Sequence, residues 1–391
     1  MRIGVVGGAG GMGRVTTADL ARSPEVEEVR IVDRDEAAAR RVADDLGKPV
    51  RPMAAGEGFP RTLEGLDAVV NAASHRLNVE IMEACLEVGA HYTDLGGLIH
   101  WALRQYELDD RFRKAGLAAA ISMGSARGLT NMLAAACCKR LETVEAIEIA
   151  DAFVPGRDAN PDDPYVPPYA ASTIIDEFTQ PAMIFVEGET REVPAGSGGK
   201  LYDFPEGSVE CVYTIHSEPA TLPRSYADKG IRSVEWRLGL PELDIQRLRS
   251  FIAAGLTSSD PVHVGDFDVA PRDALVAVLA RQARTVAPPD DPDAVEWFRV
   301  IVTGTRGGEA VTLGAELRVV EGGWEEGGGA TVTGVPPSIA AQLLGRGERL
   351  RDGVGGPEAM LPVEAFFGEL AGHGLTGELV EADGSRTPLH S

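Results

Sequence analysis

Six glycines fall within the first thirteen residues of the chain, MRIGVVGGAGGMG. Gly8, Gly10 and Gly13 stand in the register G-x-G-x-x-G, with Gly11 and Met12 between them. A turn so bare of side chains lets backbone come close to a ligand. At the head of a helix it offers amides and the positive end of the helix dipole to a pyrophosphate. Asp33 lies about 20 residues past Gly13, where a dinucleotide-binding fold places the acid that meets the adenosine ribose. A carboxylate there favours NAD, because it repels a 2′-phosphate. Arg34 beside it keeps NADP possible, since a guanidinium pairs with that phosphate. The motif predicts dinucleotide binding.

The histidines supply proton-transfer chemistry. His75 titrates in the useful range and follows the apolar run LDAVVNAA, at the strand edge where such folds bind ligands. His216 and Glu218 stand two residues apart much later in the chain. Arg127 and Arg224 are each able to hold a carboxylate in bidentate fashion. The plainer readings are a solvated loop histidine, a local strand-end pair and two surface salt bridges. The seven histidines are dispersed, with no H-E-x-x-H or C-x-x-C, so no metal site is expected. No G-x-S-x-G hydrolase elbow occupies a strand–turn–helix context.

These residues need elements to position them. RIGVV, VRIVD (29–33), LDAVVNAA (66–73), HYTDLGG (91–97) and LAAAIS (117–122) read as strands. Helical patterns lie between them at GMGRVTTADLARS, 35–47, 78–89 and 100–116. This alternation predicts a doubly wound parallel sheet, a Rossmann domain over 1–125. From about residue 143 strand patterns recur without regular helices between them. That predicts an α+β domain over 126–335 with a mostly antiparallel sheet for substrate binding and dimerisation. Helical patterns at 336–347 and 361–374 predict a segment, 336–391, that packs back on the first domain.

Composition sets outer bounds. The 391 residues exceed one typical domain, and 44% hydrophobic content suffices for a packed core. A net charge of -23 argues against nucleic acid as a partner. No apolar run approaches the roughly 18 residues of a membrane span. Four scattered cysteines do not make a disulfide framework. A cytoplasmic protein is expected.

Several stretches in the right order resemble the saccharopine dehydrogenase-like oxidoreductases, including the lysine 6-dehydrogenase branch. GGAGGMGR resembles their opening turn, DAVVNAASHRLNVEIMEACLEVGAHYTDLGG their second signature, and GSARGLTNMLA a loop that usually reads A-P-G-L-x-N. HSEPATLPRS resembles a substrate-domain segment, and RGERLRDGVGGPEAMLPVEAFFGELAGHGL the C-terminal one. The resemblance implies that Ala72, Ala73, Ser74 and His75 lie beside the cofactor ribose and nicotinamide. It implies that Asn78 caps the next helix, that Asp94 faces the cleft, and that the Ala126–Asn131 loop runs under the nicotinamide. His75 and Arg127 depart from the family, which has apolar or aromatic residues and proline there, so the substrate need not be lysine.

The activity implied is NAD(P)-dependent oxidation at a C–N bond of an amino acid or amine. Hydride then leaves a carbon next to nitrogen, and the nitrogen must first lose its proton. His75 is the first candidate for that base, His216 and Asp94 follow, and Asp94 better suits a structural or ammonium contact. Arg127, Glu218 and Arg224 are the substrate-binding candidates. The alternatives are the reverse reaction, reductive condensation of an amine with an oxo acid, and a dinucleotide-sensing regulator. A homodimer is expected.

Overall fold

The computed structural model describes residues 1–47, 50–56, 58–158, 160–285, 291–323 and 327–390. The first third alternates β1 (Arg2–Val6), α1 (Gly11–Arg22), β2 (Glu28–Asp33), α2 (Glu36–Leu46), β3 (Val50–Ala54), β4 (Ala68–Asn71), α3 (Asn78–Val88), β5 (His91–Asp94), α4 (Ile99–Tyr106), α5 (Asp109–Ala115) and β6 (Ala118–Ala120). The strands pair in parallel in the order β6-β5-β4-β1-β2-β3, the doubly wound arrangement. Ile3, Val5, Ile31, Val69 and Val70 are fully buried, as strands covered on both faces must be. Two details differ from the sequence reading. The expected helix over 100–116 is two helices, α4 and α5. The strand β3 escaped notice because Pro52 interrupts its pattern, and the sheet accommodates that proline by placing β3 at an edge.

The chain continues as α6 (Thr130–Cys138), β7 (Thr143–Val154), α7 (Ala171–Thr179), β8 (Ala182–Val186), β9 (Glu189–Val193), β10 (Lys200–Phe204), β11 (Gly207–Tyr213), α8 (Glu218–Ser225), β12 (Ser233–Gly239), α9 (Glu242–Ala253), β13 (Val262–Val264), β14 (Phe267–Val269), α10 (Pro271–Thr285), β15 (Val295–Arg306) and β16 (Glu309–Val320). It closes with α11 (Gly328–Gly345), β17 (Gly353–Gly355), α12 (Pro357–Met360), α13 (Val363–Gly372), β18 (Gly377–Val380) and β19 (Arg386–Pro388). Among the described residues a ten-stranded mixed sheet runs β10-β11-β12-β7-β15-β16-β18-β19, with β8 and β9 branching from β12. Only β12 and β7 pair in parallel; the other described pairs of this sheet are antiparallel.

One face of this sheet carries Ile147, Ile149, Trp236, Phe298, Val300 and Leu317 into a core shared with α6 and α11. The expectation of no regular helices between its strands is wrong: α7, α8, α9 and α10 lie there. The prolines Pro219 and Pro223 disguise α8, where Pro219 falls in the first turn and Pro223 in the last residues. Residues 353–355 return to the first sheet and pair with β6. α11 packs on α1, where a Cβ at Gly334 would come within 2.6 Å of Val15. Thr16 donates to the Gly334 carbonyl at 2.8 Å, so the helix that opens the glycine turn is braced from the far end of the chain.

Candidate active site

The glycine turn is fixed by close packing of its own backbone. Gly7 has φ +77, and a Cβ at Gly13 would stand 2.2 Å from the Gly7 carbonyl oxygen. Thr17 donates to the Gly13 carbonyl at 2.7 Å. By contrast a Cβ at Gly11 would meet nothing within 4 Å, so the lip of α1 is open space. No side chain caps α1 and its first turn carries no acidic residue, which leaves its leading amides for an anion. Asp33 accepts from the Ala9 amide at 3.1 Å and the Asp35 amide at 3.0 Å, one through each oxygen. Each oxygen keeps capacity for a ribose hydroxyl. Arg34 is exposed beside it, and Met12 is half-buried. A nicotinamide dinucleotide fits this cradle.

Beneath the strand ends a chain of buried polar side chains locks three loops together. Asn71 donates to Asn78 at 2.7 Å, Asn78 to Gln105 at 3.1 Å, and Gln105 to Asp94 at 2.6 Å. Asn71 also accepts from the Ala73 amide at 3.0 Å, and Asp94 from the Gly96 and Ser122 amides at 2.7 and 2.8 Å. Asp94 is fully buried, and burial raises its pKa despite these donors. Asn78 does not cap α3 as expected: it is the first residue of that helix, and its side chain is spent on this network. Ser74 instead caps the short turn His75–Leu77 through the Arg76 amide, with Ala72 and Ala73 half-buried before it.

His75 sits on that turn, half-buried, with its ring 5.8 Å from Trp101 and its Cβ against Gly97. Partial desolvation lowers its pKa first, then the nearby Arg127, Arg76 and His100; Asp176 pulls the other way. His75 is therefore neutral at pH 7 and still open to water. Arg127 lies across Gly96, held by a 2.7 Å ion pair to the buried Glu177. Tyr169 donates to the other oxygen of Glu177. Burial raises the Glu177 pKa against the pull of these partners.

His216 lies on the other side of the same carboxylate, with Nε2 3.9 Å from Glu177 Oε1. Its ring stacks on Trp236 at 3.8 Å, and Nδ1 meets Glu218 Oε2 at 2.5 Å. A carboxylate accepts, so Nδ1 carries the proton and Nε2 presents its lone pair. Burial drives the His216 pKa down to about 4. Thr130 donates to the second oxygen of Glu218 at 2.9 Å, joining this dyad to the loop that carries Arg127. The structure thus gathers His75, Arg127, His216 and Glu218 in one cleft, with Asp94 beneath it. It does not bring Arg224 there. That side chain donates to the Ala220 carbonyl at 2.6 Å, stacks over Tyr106, and with His100 lines a separate cavity of about 410 Å3.

Residues 3–120 match the saccharopine dehydrogenase NADP binding domain, and residues 124–375 the saccharopine dehydrogenase C-terminal domain. The chain belongs to the saccharopine dehydrogenase family. It is an NAD(P)-dependent oxidoreductase. Its fold matches that of the saccharopine dehydrogenase (L-Glu forming) of Saccharomyces cerevisiae with a TM-score of 0.72, at 14% identity, over 97% of this chain and 99% of that one. In sequence it is similar to the carboxyaminopropylagmatine dehydrogenase of Synechocystis sp., 23% identical over 94% of this chain and 95% of that protein. It is also similar to the carboxynorspermidine synthase of Vibrio cholerae, 24% identical over 96% of both.

Within this family member, the cleft contains residues that no local motif announced. Glu177 and Tyr169 come from the stretch after β7, Gln105 from the end of α4. Asp151 and Glu296 come from the middle of β7 and the start of β15. Burial raises the pKa of both, reinforced for Asp151 by Glu296, Glu177 and Glu218 and for Glu296 by Glu321. One signal was available: Asp151 and Glu296 each fall among apolar neighbours, in IADAFV and AVEWF.

Proposed function

We propose that this oxidoreductase acts on an amine, making or breaking the C–N bond between a cationic amine and a carboxylate-bearing carbon. The observation that carries this is the charge of the cleft. Asp151, Glu177, Glu218 and Glu296 converge there, and Arg127 is the cation placed among them. Such a pocket attracts a protonated amine and repels a second carboxylate. Condensation of an amine with an oxo acid expels water to form an imine, and reduction then yields a secondary amine. A bound nicotinamide supplies the hydride in that direction and accepts it in the other.

The side chains have separable tasks in this reading. His75 exchanges the proton of the substrate nitrogen with solvent, because it is half-buried and neutral at pH 7. His216 accepts a hydrogen bond from the amine at Nε2, oriented by Glu218. Arg127 offers its guanidinium to the carboxylate of the carbonyl partner. Asp94 keeps the loops in place and contacts no reactant. The names of the two curated relatives, both carboxylated amines, support the condensation direction over lysine-type deamination. A homodimer belongs to this reading, supported by the exposed Val262, Val264 and Phe267 on the β13–β14 hairpin. So does a cytoplasmic location, supported by four buried cysteines that are all free. No described helix is long and apolar enough to cross a membrane.

The test follows reduced-nicotinamide absorbance with amines paired with carboxylated aldehydes and oxo acids, and oxidised cofactor with amino acids including lysine. Consumption that requires both an amine and a carbonyl acid supports the proposal. Turnover of hydroxy acids with none of amines overturns it.

A further inference from the structure

Asp19 lies on the buried face of α1, the helix of the glycine turn, and both of its oxygens are taken by groups from much later in the chain. Ser338 on α11 donates to Oδ2 at 2.5 Å. His373, which caps the C-terminal end of α13, meets Oδ1 through Nε2 at 2.7 Å. The other ring nitrogen, Nδ1, stands 2.9 Å from the Glu369 carbonyl one turn back. A carboxylate and a carbonyl only accept, so both ring nitrogens must donate, and a histidine donates twice only as the imidazolium. The end of a helix also favours a cation there. Neutralising the ring turns a nitrogen lone pair on one of the two acceptors.

The charged groups around this ring come from each element packed on it. Asp19 on α1 raises its pKa most, against the pull of partial burial, and Glu369 on α13 adds to the rise. α1 also carries Arg22 in its last turn. α11 has no titratable side chain, and Arg346 just past it pairs with Glu369 and with Glu25, each at 2.8 Å. The His373 side chain is 28% exposed, so its proton exchanges with solvent. We propose that His373 is a pH-operated clasp between α13 and α1: its imidazolium ties the two helices together, and loss of one proton to solvent releases that tie and leaves Asp19 to Ser338. The folded pKa lies above the unfolded 6.5, so the stability from this tie is whole below 6.5 and lost as pH rises through the folded value. The clasp touches no reactant and stands apart from the amine reading of the cleft.

Nitrogen-15 spectra of the imidazoles read the ring directly, with His373 assigned by its absence in His373→Gln. Both of its nitrogens should be protonated at pH 6.5, and its titration should fall above the ordinary 6.5. Asp19→Asn should bring that titration back toward the ordinary value. Urea unfolding of wild type and His373→Gln measures the tie itself. The ratio of their folding constants should fall between pH 6 and pH 9, by about 10-fold for each unit by which the folded pKa is raised. A ring that titrates at or below 6.5, or a ratio constant across that range, overturns the clasp. If Asp19→Asn fails to fold, the wild-type titration and the His373→Gln ratio still decide.

Discussion

Asp33 accepts one hydrogen bond through each carboxylate oxygen, from the Ala9 amide of the glycine turn and from the Asp35 amide at the head of α2, and each oxygen keeps capacity for a ribose hydroxyl. NAD is therefore expected to bind more tightly than NADP, although the family's domain is described as NADP binding. Asp33→Ser should narrow or invert the preference, with Arg34 free to meet the phosphate; titration with both cofactors checks it, and a clear wild-type preference for NADP contradicts it. His75→Ala should lower turnover by roughly 100-fold with cofactor affinity nearly unchanged. It should also flatten the acidic limb of the pH–rate profile, since His216 is neutral down to about pH 4 and contributes nothing near neutrality. A neutral effect at His75 with a collapse at His216 would move the proton transfer to the dyad. His75, Arg127, His216 and Glu218 were legible because each is a reactive type beside a strand end or a recognisable loop. Glu177, Asp151 and Glu296 were not, because their meaning arises only when α7, β7 and β15 meet.

The strand–helix rhythm made the first sheet legible at the scale of elements, since apolar runs and glycine turns report buried parallel strands directly. The loops at its edge depend on the Asn71–Asn78–Gln105–Asp94 chain, whose members are scattered between Asn71 and Gln105 and follow no period. Asn78→Leu leaves Asn71 and Gln105 with buried amide groups unmet, at a cost of about 2 kcal/mol. Urea unfolding should show that loss, together with weaker cofactor binding from a slackened Ala72–His75 turn. Stability equal to wild type would mean the chain does not brace the loops. The second sheet was legible in its strands and not in its helices, and for α8 the reason is that its two prolines break the helical signal.

Over the whole molecule, burial sets opposing pH trends. His216 has its pKa lowered from 6.5 to about 4, so the unfolded chain binds more protons in that window. The stability this contributes is present above pH 6.5 and lost as pH falls toward 4, a difference of order 3 kcal/mol. The acids Asp94, Asp151, Glu177, Glu296 and Glu358 are shifted upward by burial, so each loses stability as pH rises above the ordinary carboxylate range. Guanidinium unfolding at pH 7 and pH 4.5 should show a smaller acid loss in His216→Gln than in wild type. Equal losses would contradict the assignment. The central claim is hydride transfer at a carbon bonded to nitrogen, and isotope transfer tests it most directly. Reduced cofactor deuterated at the nicotinamide C4 should leave one deuterium on the carbon bonded to nitrogen in the secondary-amine product, read by mass spectrometry. With both C4 positions labelled, a secondary-amine product without deuterium at that carbon, or deuterium found instead on a carbon bearing oxygen, would contradict the account.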